Sequence, residues 1–164
     1  MKIILLLTTV VLATLAFPAR AALAVFTCEP EWAALARELG GNLVDAESAT
    51  TPQQDPHYIQ ARPSLIAKVR GAKLVLCTGA DLEVGWLPLL LRQAGNASVQ
   101  PGQPGYMTAA DYVDLLDKPA SLDRSAGDIH PYGNPHIQTD PGNIGKVAAG
   151  LPGGVGVVVP GNTA

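Results

Sequence analysis

The chain has 164 residues, of which 48% are hydrophobic and 15% charged, and its formal net charge is −3. A weakly acidic chain of this length is sufficient for one compact domain and lacks the basic surface to which nucleic acids or anionic membranes bind. Its 17 glycines and 14 prolines predict many turns, but the glycines do not recur at every third residue, which excludes a collagen-like rod.

The first predicted element is a secretory signal peptide over residues 1–21. Lys2 supplies the positive charge, residues 3–16 the apolar segment, and Ala19-Arg20-Ala21 the small-x-small cleavage pattern. A membrane anchor is the alternative, but the apolar run is shorter than the ~18 to 20 residues of a spanning helix. Removal of Lys2 and Arg20 with the leader leaves nine Lys and Arg against 14 Asp and Glu, a formal charge of −5 on 143 residues. We therefore expect the mature protein outside the cytosol.

Strands and helices alternate through the first 95 residues. Short apolar runs end at Cys28 and Cys77, and prolines such as Pro30 and Pro63 open helices, because the N–H that proline lacks has no partner in a first helical turn. The predicted elements are a strand at 25–28, a helix at 30–39, a weak strand at 42–47, a helix at 62–71, a strand at 73–77 and a helix at 83–93. This alternation predicts an α/β fold in which helices flank a parallel sheet.

The two cysteines, Cys28 and Cys77, each end one of the predicted strands. If those strands are parallel neighbours, the two thiols meet at one edge of the sheet, and an oxidising compartment permits a disulfide between them. Buried free thiols are the alternative.

The regular pattern weakens after Gly95. Residues 100–105 are predicted to form a loop and residues 109–116 a strand or a short helix, while Asp140-Pro141 has the form of an N-cap with proline in the first turn. From 150 to 164, seven of fifteen residues are Gly or Pro and none is charged. We expect the last helix to end at Gly150 and an aberrant or disordered tail to follow it.

The three histidines, His57, His130 and His136, each adjoin a proline. Proline fixes the local backbone, so each imidazole stands on a stiffened loop, and loops at the carboxyl ends of parallel strands are where α/β sheets hold ligands. Imidazole is the commonest zinc ligand, although this spacing is less diagnostic than that of a zinc finger or an HExxH helix. Turn or surface residues are the alternative interpretation.

Four segments together resemble a known family over roughly residues 25–144. They are Asp55-Pro56-His57 with Arg62-Pro63-Ser64, the strand and turn at 73–87, Gly133-Asn134-Pro135-His136, and Asp140-Pro141. They are similar to the amino-terminal half of the periplasmic zinc- and manganese-binding proteins of ABC transporters, the ZnuA/TroA-like family.

The resemblance implies a metal site. In that family two of these segments deliver one histidine ligand each, which here are His57 and His136, and the bound ion is Zn²⁺ or, as the alternative, Mn²⁺. The resemblance does not supply the roles of His130, Asp55 and Asp140. Two imidazoles leave half of a tetrahedral zinc site open, so His130 is a candidate third or accessory ligand, and we expect Asp55 and Asp140 to hold the ligand loops in place. The strand and turn at 73–87 contribute Glu83 and Trp86, which the resemblance assigns to structure.

The resemblance also implies a domain organisation. Residues 22–149 form one Rossmann-like α/β lobe of a two-lobed protein, with the inter-lobe helix beginning near 140–149, and the second lobe is missing. A frameshift or premature truncation would explain the change of composition at Gly150, and the loss of ligands would weaken metal binding.

The implied protein is a periplasmic monomer without enzymatic activity that delivers the ion to a membrane permease and binds no nucleic acid. One alternative is a secreted zinc hydrolase that uses His57 and His136 with Glu83 or Asp140 as general base. The other is a truncated product that has no function.

Overall fold

Four parallel strands form a sheet in the order β2-β1-β3-β4. The computed structural model describes residues 21–122 and 129–158, with side chains as far as Leu151. All of the predicted signal peptide except Ala21, and residues 159–164 of the predicted tail, lie outside the described residues. The strands are β1 (Leu23–Thr27), β2 (Val44–Ser48), β3 (Leu74–Cys77) and β4 (Tyr106–Thr108), and the helices are α1 (Pro30–Gly40), α2 (Pro63–Gly71), α3 (Leu87–Ala94) and α4 (Pro141–Val158).

The pairing of the strands confirms the predicted fold class. Phe26 of β1 pairs with Glu47 of β2 on one side and with Val75 of β3 on the other, and Leu76 of β3 pairs with Met107 of β4, all in parallel register. The strand β4 was not predicted as such, because it has only three residues and directly follows a loop rich in Gly and Pro.

Alternate strand residues supply two apolar layers, one on each face of the sheet. Val25 and Leu76 point toward α1 and α4, while Phe26 and Val75 point toward α2 and α3. This alternation follows from the two-residue period of a strand, and it buries both faces, as a parallel sheet requires.

The helix α3 begins four residues later than the sequence predicts. Residues 79–86 form successive turns instead, in which Leu82 N–H donates to Gly79 O and Trp86 N–H to Glu83 O. Gly79, Ala80 and Asp81 all have positive φ values, of 81°, 51° and 66°. Trp86, with φ −139° and ψ −35°, also departs from helical backbone, so α3 starts only at Leu87.

The helix α4 does not end at Gly150 as predicted but continues to Val158. Leu151 is 1% exposed and packs in the same layer as Val147, one helical turn before it. Burial of this side chain favours helical backbone beyond the glycine. Among the described helices, none is long and apolar enough to cross a membrane.

A disulfide joins the carboxyl ends of the two central strands. Cys28 and Cys77 are fully buried, and their Cα atoms lie 4.7 Å apart because β1 and β3 are hydrogen-bonded neighbours. The bridge closes a loop of 49 residues. Loop closure of this length restricts the unfolded chain and is worth about 4 kcal/mol in the chain-entropy estimate.

We expect the Cys28→Ala/Cys77→Ala variant to lose about 2–5 kcal/mol of unfolding free energy, because the unfolded state regains its loop entropy. Urea denaturation of the oxidised wild type and of the variant measures the difference. Under reducing conditions the two proteins should unfold at similar urea concentrations. A wild type whose midpoint does not move on reduction would contradict the role of the bridge.

Candidate metal centre

His57 lies on a loop that Asp55 and Trp86 hold in place. Asp55 Oδ1 accepts the backbone N–H of His57 at 3.0 Å and lies 2.7 Å from His57 Nδ1. The hydrogen bonds from the His57 backbone and ring lower the pKa of Asp55. From the other side, the indole N–H of Trp86 donates to the carbonyl oxygen of Pro56 at 2.7 Å.

The carboxylate of Asp55 decides which nitrogen of His57 is available to a ligand. A carboxylate is acceptor-only, so the ring nitrogen beside it, Nδ1, carries the proton. The lone pair of a neutral imidazole then resides on Nε2. This carboxylate–imidazole arrangement is the one that orients histidine ligands in metal proteins.

His136 is fixed by a separate set of contacts. The side-chain oxygen of Asn134 accepts its backbone N–H at 3.0 Å, and the Thr139 hydroxyl donates to its carbonyl oxygen at 2.8 Å. The turn Ile137–Thr139 follows, and the carboxylate of Asp140 accepts the N–H of Gly142 at 2.8 Å at the start of α4. Asp140 therefore acts as a helix cap.

The three histidines come together although they are distant in sequence. The ring centroids lie 5.2 Å apart for His57 and His130, 5.8 Å for His57 and His136, and 6.4 Å for His130 and His136. The closest atoms are His57 Nε2 and His130 Nε2, at 3.1 Å.

The separation of these two nitrogens fits a tetrahedral metal ion. Zinc–imidazole bonds of about 2.05 Å place two ligand nitrogens about 3.3 Å apart at the tetrahedral angle. Without a metal, one of the nitrogens carries a proton and donates it to the other. A divalent cation can take the place of that proton with little movement of either ring.

His136 stands slightly outside this contact. Among the described residues, the group of His, Cys, Asp and Glu ligand atoms that lie within 4.8 Å of one another is Cys28, Cys77 and Glu83. Its two sulfurs are bonded in the disulfide and cannot bind a metal as thiolates. The His136 ring must therefore turn inward to complete a three-nitrogen site with His57 and His130.

Two cavities flank the histidines. One of about 350 Å³ is bordered by His57 and His130 together with the exposed side chains of Tyr58, Val84 and Leu122. The other, of about 370 Å³, is bordered by all three imidazoles. The second cavity is the candidate metal centre.

Asp117, which is not among the site residues predicted from the sequence, also borders the second cavity. Its Oδ2 accepts from the side-chain amide of Asn134 at 3.4 Å, and Asn134 N–H donates to Leu116 O at 2.8 Å. These contacts join two loops that are distant in sequence, so no local motif could have identified the residue.

The chain matches the family described as "Zinc-uptake complex component A periplasmic" (ZnuA) over residues 25–164. It is similar to the crystal structure of a zinc-bound ZnuA deletion mutant lacking residues 138–173, with a TM-score of 0.68 and 20% identity over 87% of this chain and 49% of that one. No curated protein matches the chain.

Two further solved structures share the fold. One is zinc-bound AdcA from Streptococcus pneumoniae, with a TM-score of 0.64 and 17% identity over 85% of this chain and 27% of that one. The other is the manganese-bound periplasmic metal-binding protein from candidatus Liberibacter asiaticus, with a TM-score of 0.64 and 17% identity over 84% and 46%. The chain thus spans half or less of the length of these structures.

We expect Trp86→Phe to release the His57 loop, because it removes the indole donor to Pro56 and leaves a carbonyl without its partner. The amide of His57 should exchange with solvent faster, and the unfolding free energy should fall by about 1–3 kcal/mol. Hydrogen exchange by NMR and urea denaturation measure the two effects.

Asn96→Ala is the control, since the Asn96 amide donates to the carbonyl oxygens of Val69 and Ala72 at 3.0 and 2.8 Å, ahead of β3 and outside the contacts that lead to His57. It should cost similar stability without changing exchange at His57. Equal acceleration of that amide in both variants would show that Trp86 has no specific effect on the loop.

Proposed function

The chain belongs to the ZnuA family of periplasmic zinc-uptake components, and we propose that it captures Zn²⁺ outside the cytoplasm and delivers it to the permease of an ABC transporter. The observation that carries this proposal is the convergence of His57, His130 and His136 on one cavity. We propose these three imidazoles as the metal ligands. We propose that His130 binds the metal ion directly and not as an accessory group, because its Nε2 lies 3.1 Å from that of His57.

The first step of capture is the exchange of a proton for the metal ion. In the metal-free protein a hydrogen bond joins His57 Nε2 and His130 Nε2. Zinc binds the lone pair of a neutral imidazole, so this proton must leave Nε2. It moves to the other ring nitrogen of a neutral imidazole, or to solvent from an imidazolium, and the ion takes its place between the rings. Asp55 keeps the other nitrogen of His57 protonated and thereby holds the ring in its ligating orientation.

The second step is the inward rotation of His136, which adds a third nitrogen. Three imidazoles leave one position of a tetrahedral ion for water or for another group. An open position allows the ion to leave by ligand exchange, as a carrier that must release its cargo requires.

The chemistry of the donors favours zinc over manganese. Nitrogen ligands suit zinc, whereas manganese sites recruit more oxygen. In the described part of the cavity, three imidazoles stand beside a single carboxylate, that of Asp117. Mn²⁺ is accordingly the secondary cargo.

The positions of the two acids considered as general bases favour a binding role over hydrolysis. Glu83 is 2% exposed, and its carboxylate accepts the backbone N–H groups of Thr78 and Gly79. Asp140 caps α4. A general base must reach the metal-bound water within hydrogen-bonding distance, and both carboxylates are engaged elsewhere.

The domain assignment follows from the same proposal. Residues 1–21 direct export to the periplasm, and residues 22–149 form the metal-binding lobe from which α4 leaves. We propose that this lobe acts as a monomer.

We expect the full chain to bind one zinc ion, and His57→Ala, His130→Ala and His136→Ala each to lower the affinity by about 100-fold or more, because each removes one ligand. Isothermal titration calorimetry gives both stoichiometry and affinity. Circular dichroism of each variant establishes that it is folded. Affinities that none of the three substitutions changes would refute the site.

We expect Asp55→Asn to weaken zinc binding by about 10- to 100-fold, because an amide no longer fixes the proton on His57 Nδ1. Asp114→Asn, which changes an exposed acid that does not border either cavity, is the charge-matched control. If both variants weaken binding equally, general electrostatic attraction and not orientation of His57 accounts for the effect.

A further inference from the structure

Two buried glutamates share one backbone donor at the carboxyl ends of β1 and β3. Glu29 and Glu83 are each 2% exposed. The backbone N–H of Thr78 lies 3.3 Å from Glu29 Oε2 and 2.7 Å from Glu83 Oε1, and the Thr78 hydroxyl donates to Glu29 Oε2 at 2.9 Å. The two carboxyl groups are therefore immediate neighbours.

No described cation compensates these acids. The ion pairs of the described residues join His57 to Asp55 and Lys68 to Glu47. The other titratable groups near the glutamates are also acidic. Glu31 lies near Glu29, and Tyr106 lies near both Glu83 and Asp111. Two adjacent negative charges without a cation are strongly unfavourable in a buried site, so one of the carboxyls must hold a proton.

The hydrogen bonds indicate which carboxyl holds the proton. Glu83 accepts the N–H groups of both Thr78 and Gly79, which stabilise it as a carboxylate. Glu29 Oε1, in contrast, is buried and has no donor among the described residues. An unpaired buried oxygen is costly in a carboxylate, but in a carboxylic acid the same atom becomes a donor.

The effects on acidity agree with this assignment. Burial and the neighbouring charge of Glu83 raise the pKa of Glu29 well above its ordinary value, and a hydrogen bond to Glu83 raises it further. Burial also raises the pKa of Glu83, whereas hydrogen bonds from Glu29, Thr78 and Gly79 lower it. Burial and the charges of Glu83 and Asp111 raise the pKa of Tyr106 to about 12.

We propose that Glu29 is a carboxylic acid at neutral pH, that it donates its proton to the Glu83 carboxylate, and that this pair positions His57 for metal binding. The positioning role rests on the proposed function. The state of the proton rests only on the buried pair.

The connection from the pair to His57 runs through the turn after β3. Glu83 holds the N–H groups that open this turn, in which Ala80 and Asp81 adopt left-handed backbone without the freedom of glycine. The Glu83 carbonyl then accepts Trp86 N–H at 3.1 Å, and the Trp86 indole donates to Pro56 beside His57. Loss of the Glu83 carboxylate should therefore loosen a metal ligand that it does not contact.

The test compares Glu29→Ala, Glu29→Gln and Glu83→Gln. A glutamine amide can donate as a carboxylic acid does, so Glu29→Gln should retain zinc affinity within about 3-fold while Glu29→Ala lowers it. Glu83→Gln should lower affinity by about 10- to 100-fold, because the amide N–H₂ in place of Oε2 loses the shorter contact with Gly79 N–H, and the remaining oxygen is a neutral and weaker acceptor. Retention in Glu83→Gln with loss in Glu29→Gln would place the proton on Glu83 and overturn the assignment, and retention in all three variants would overturn the positioning role.

A pH profile tests the proton independently of zinc. In the unfolded chain Glu29 titrates near its ordinary value of about 4.3, so folding takes up a proton above that pH. The wild type should lose stability as pH rises from about 4.3 toward the folded-state pKa of Glu29. Glu29→Gln has no proton to take up, so its urea midpoint should fall less between pH 5 and pH 8. Parallel profiles of the two proteins would overturn the assignment.

Infrared spectroscopy of the full chain at pH 7 completes the test. The wild type should show the C=O stretching band of a protonated carboxylic acid, and Glu29→Gln should lack it. A wild type without this band, or a band that survives in Glu29→Gln, would overturn the proposal. Because neither readout uses metal, failure of the zinc site and failure of the proton assignment are distinguishable.

Discussion

Hydrogen bonds between β1 and β3 bring the residues that follow these two strands to one edge of the sheet. Parallel pairing gives both strands the same direction, so their carboxyl ends coincide. Cys28 bonds to Cys77 there, and Glu29 meets Thr78 at the next position. The turn that leads to Trp86, and through Trp86 to the His57 loop, starts from this edge. A shift of one residue in the register would separate all of these pairs.

The proposed metal centre is assembled from loops rather than strands. Ligands on loops are precise only where the loops are stiff. Each proposed ligand has a proline neighbour, and a polar side chain accepts the backbone N–H of His57 and of His136. Asp55 plays that role for His57, and Asn134 does so for His136. Because Asn134 also donates to Leu116 O and to Asp117 Oδ2, hydrogen bonds join the His136 loop to residues 116 and 117.

Much of the fold could be predicted because its signals are local. Two kinds of signal depend only on neighbouring residues. They are the apolar runs that form β1 and β3 and the prolines that open α1 and α2. The late start of α3 also has a local cause, the hydrogen bonds from Thr78 N–H and Gly79 N–H to the Glu83 carboxylate, which helical periodicity does not reveal. The strand β4 was not predicted because it forms through its non-local pairing with β3. Likewise, resemblance indicated His57 and His136, but contact between His57 and His130 depends on tertiary folding.

Burial separates two kinds of acid and base chemistry that lie near the same end of the sheet. Glu29 and Glu83 are buried, so the pair has a lower free energy with one proton retained than with two adjacent charges. His57 and His130 also share a hydrogen bond, but they border open cavities that a hydrated cation can enter. A close approach of two titratable groups therefore holds a proton in place in the interior. At the surface, the same approach provides a proton that a metal ion can replace. Only the second arrangement suits the reversible capture of a metal ion that we propose.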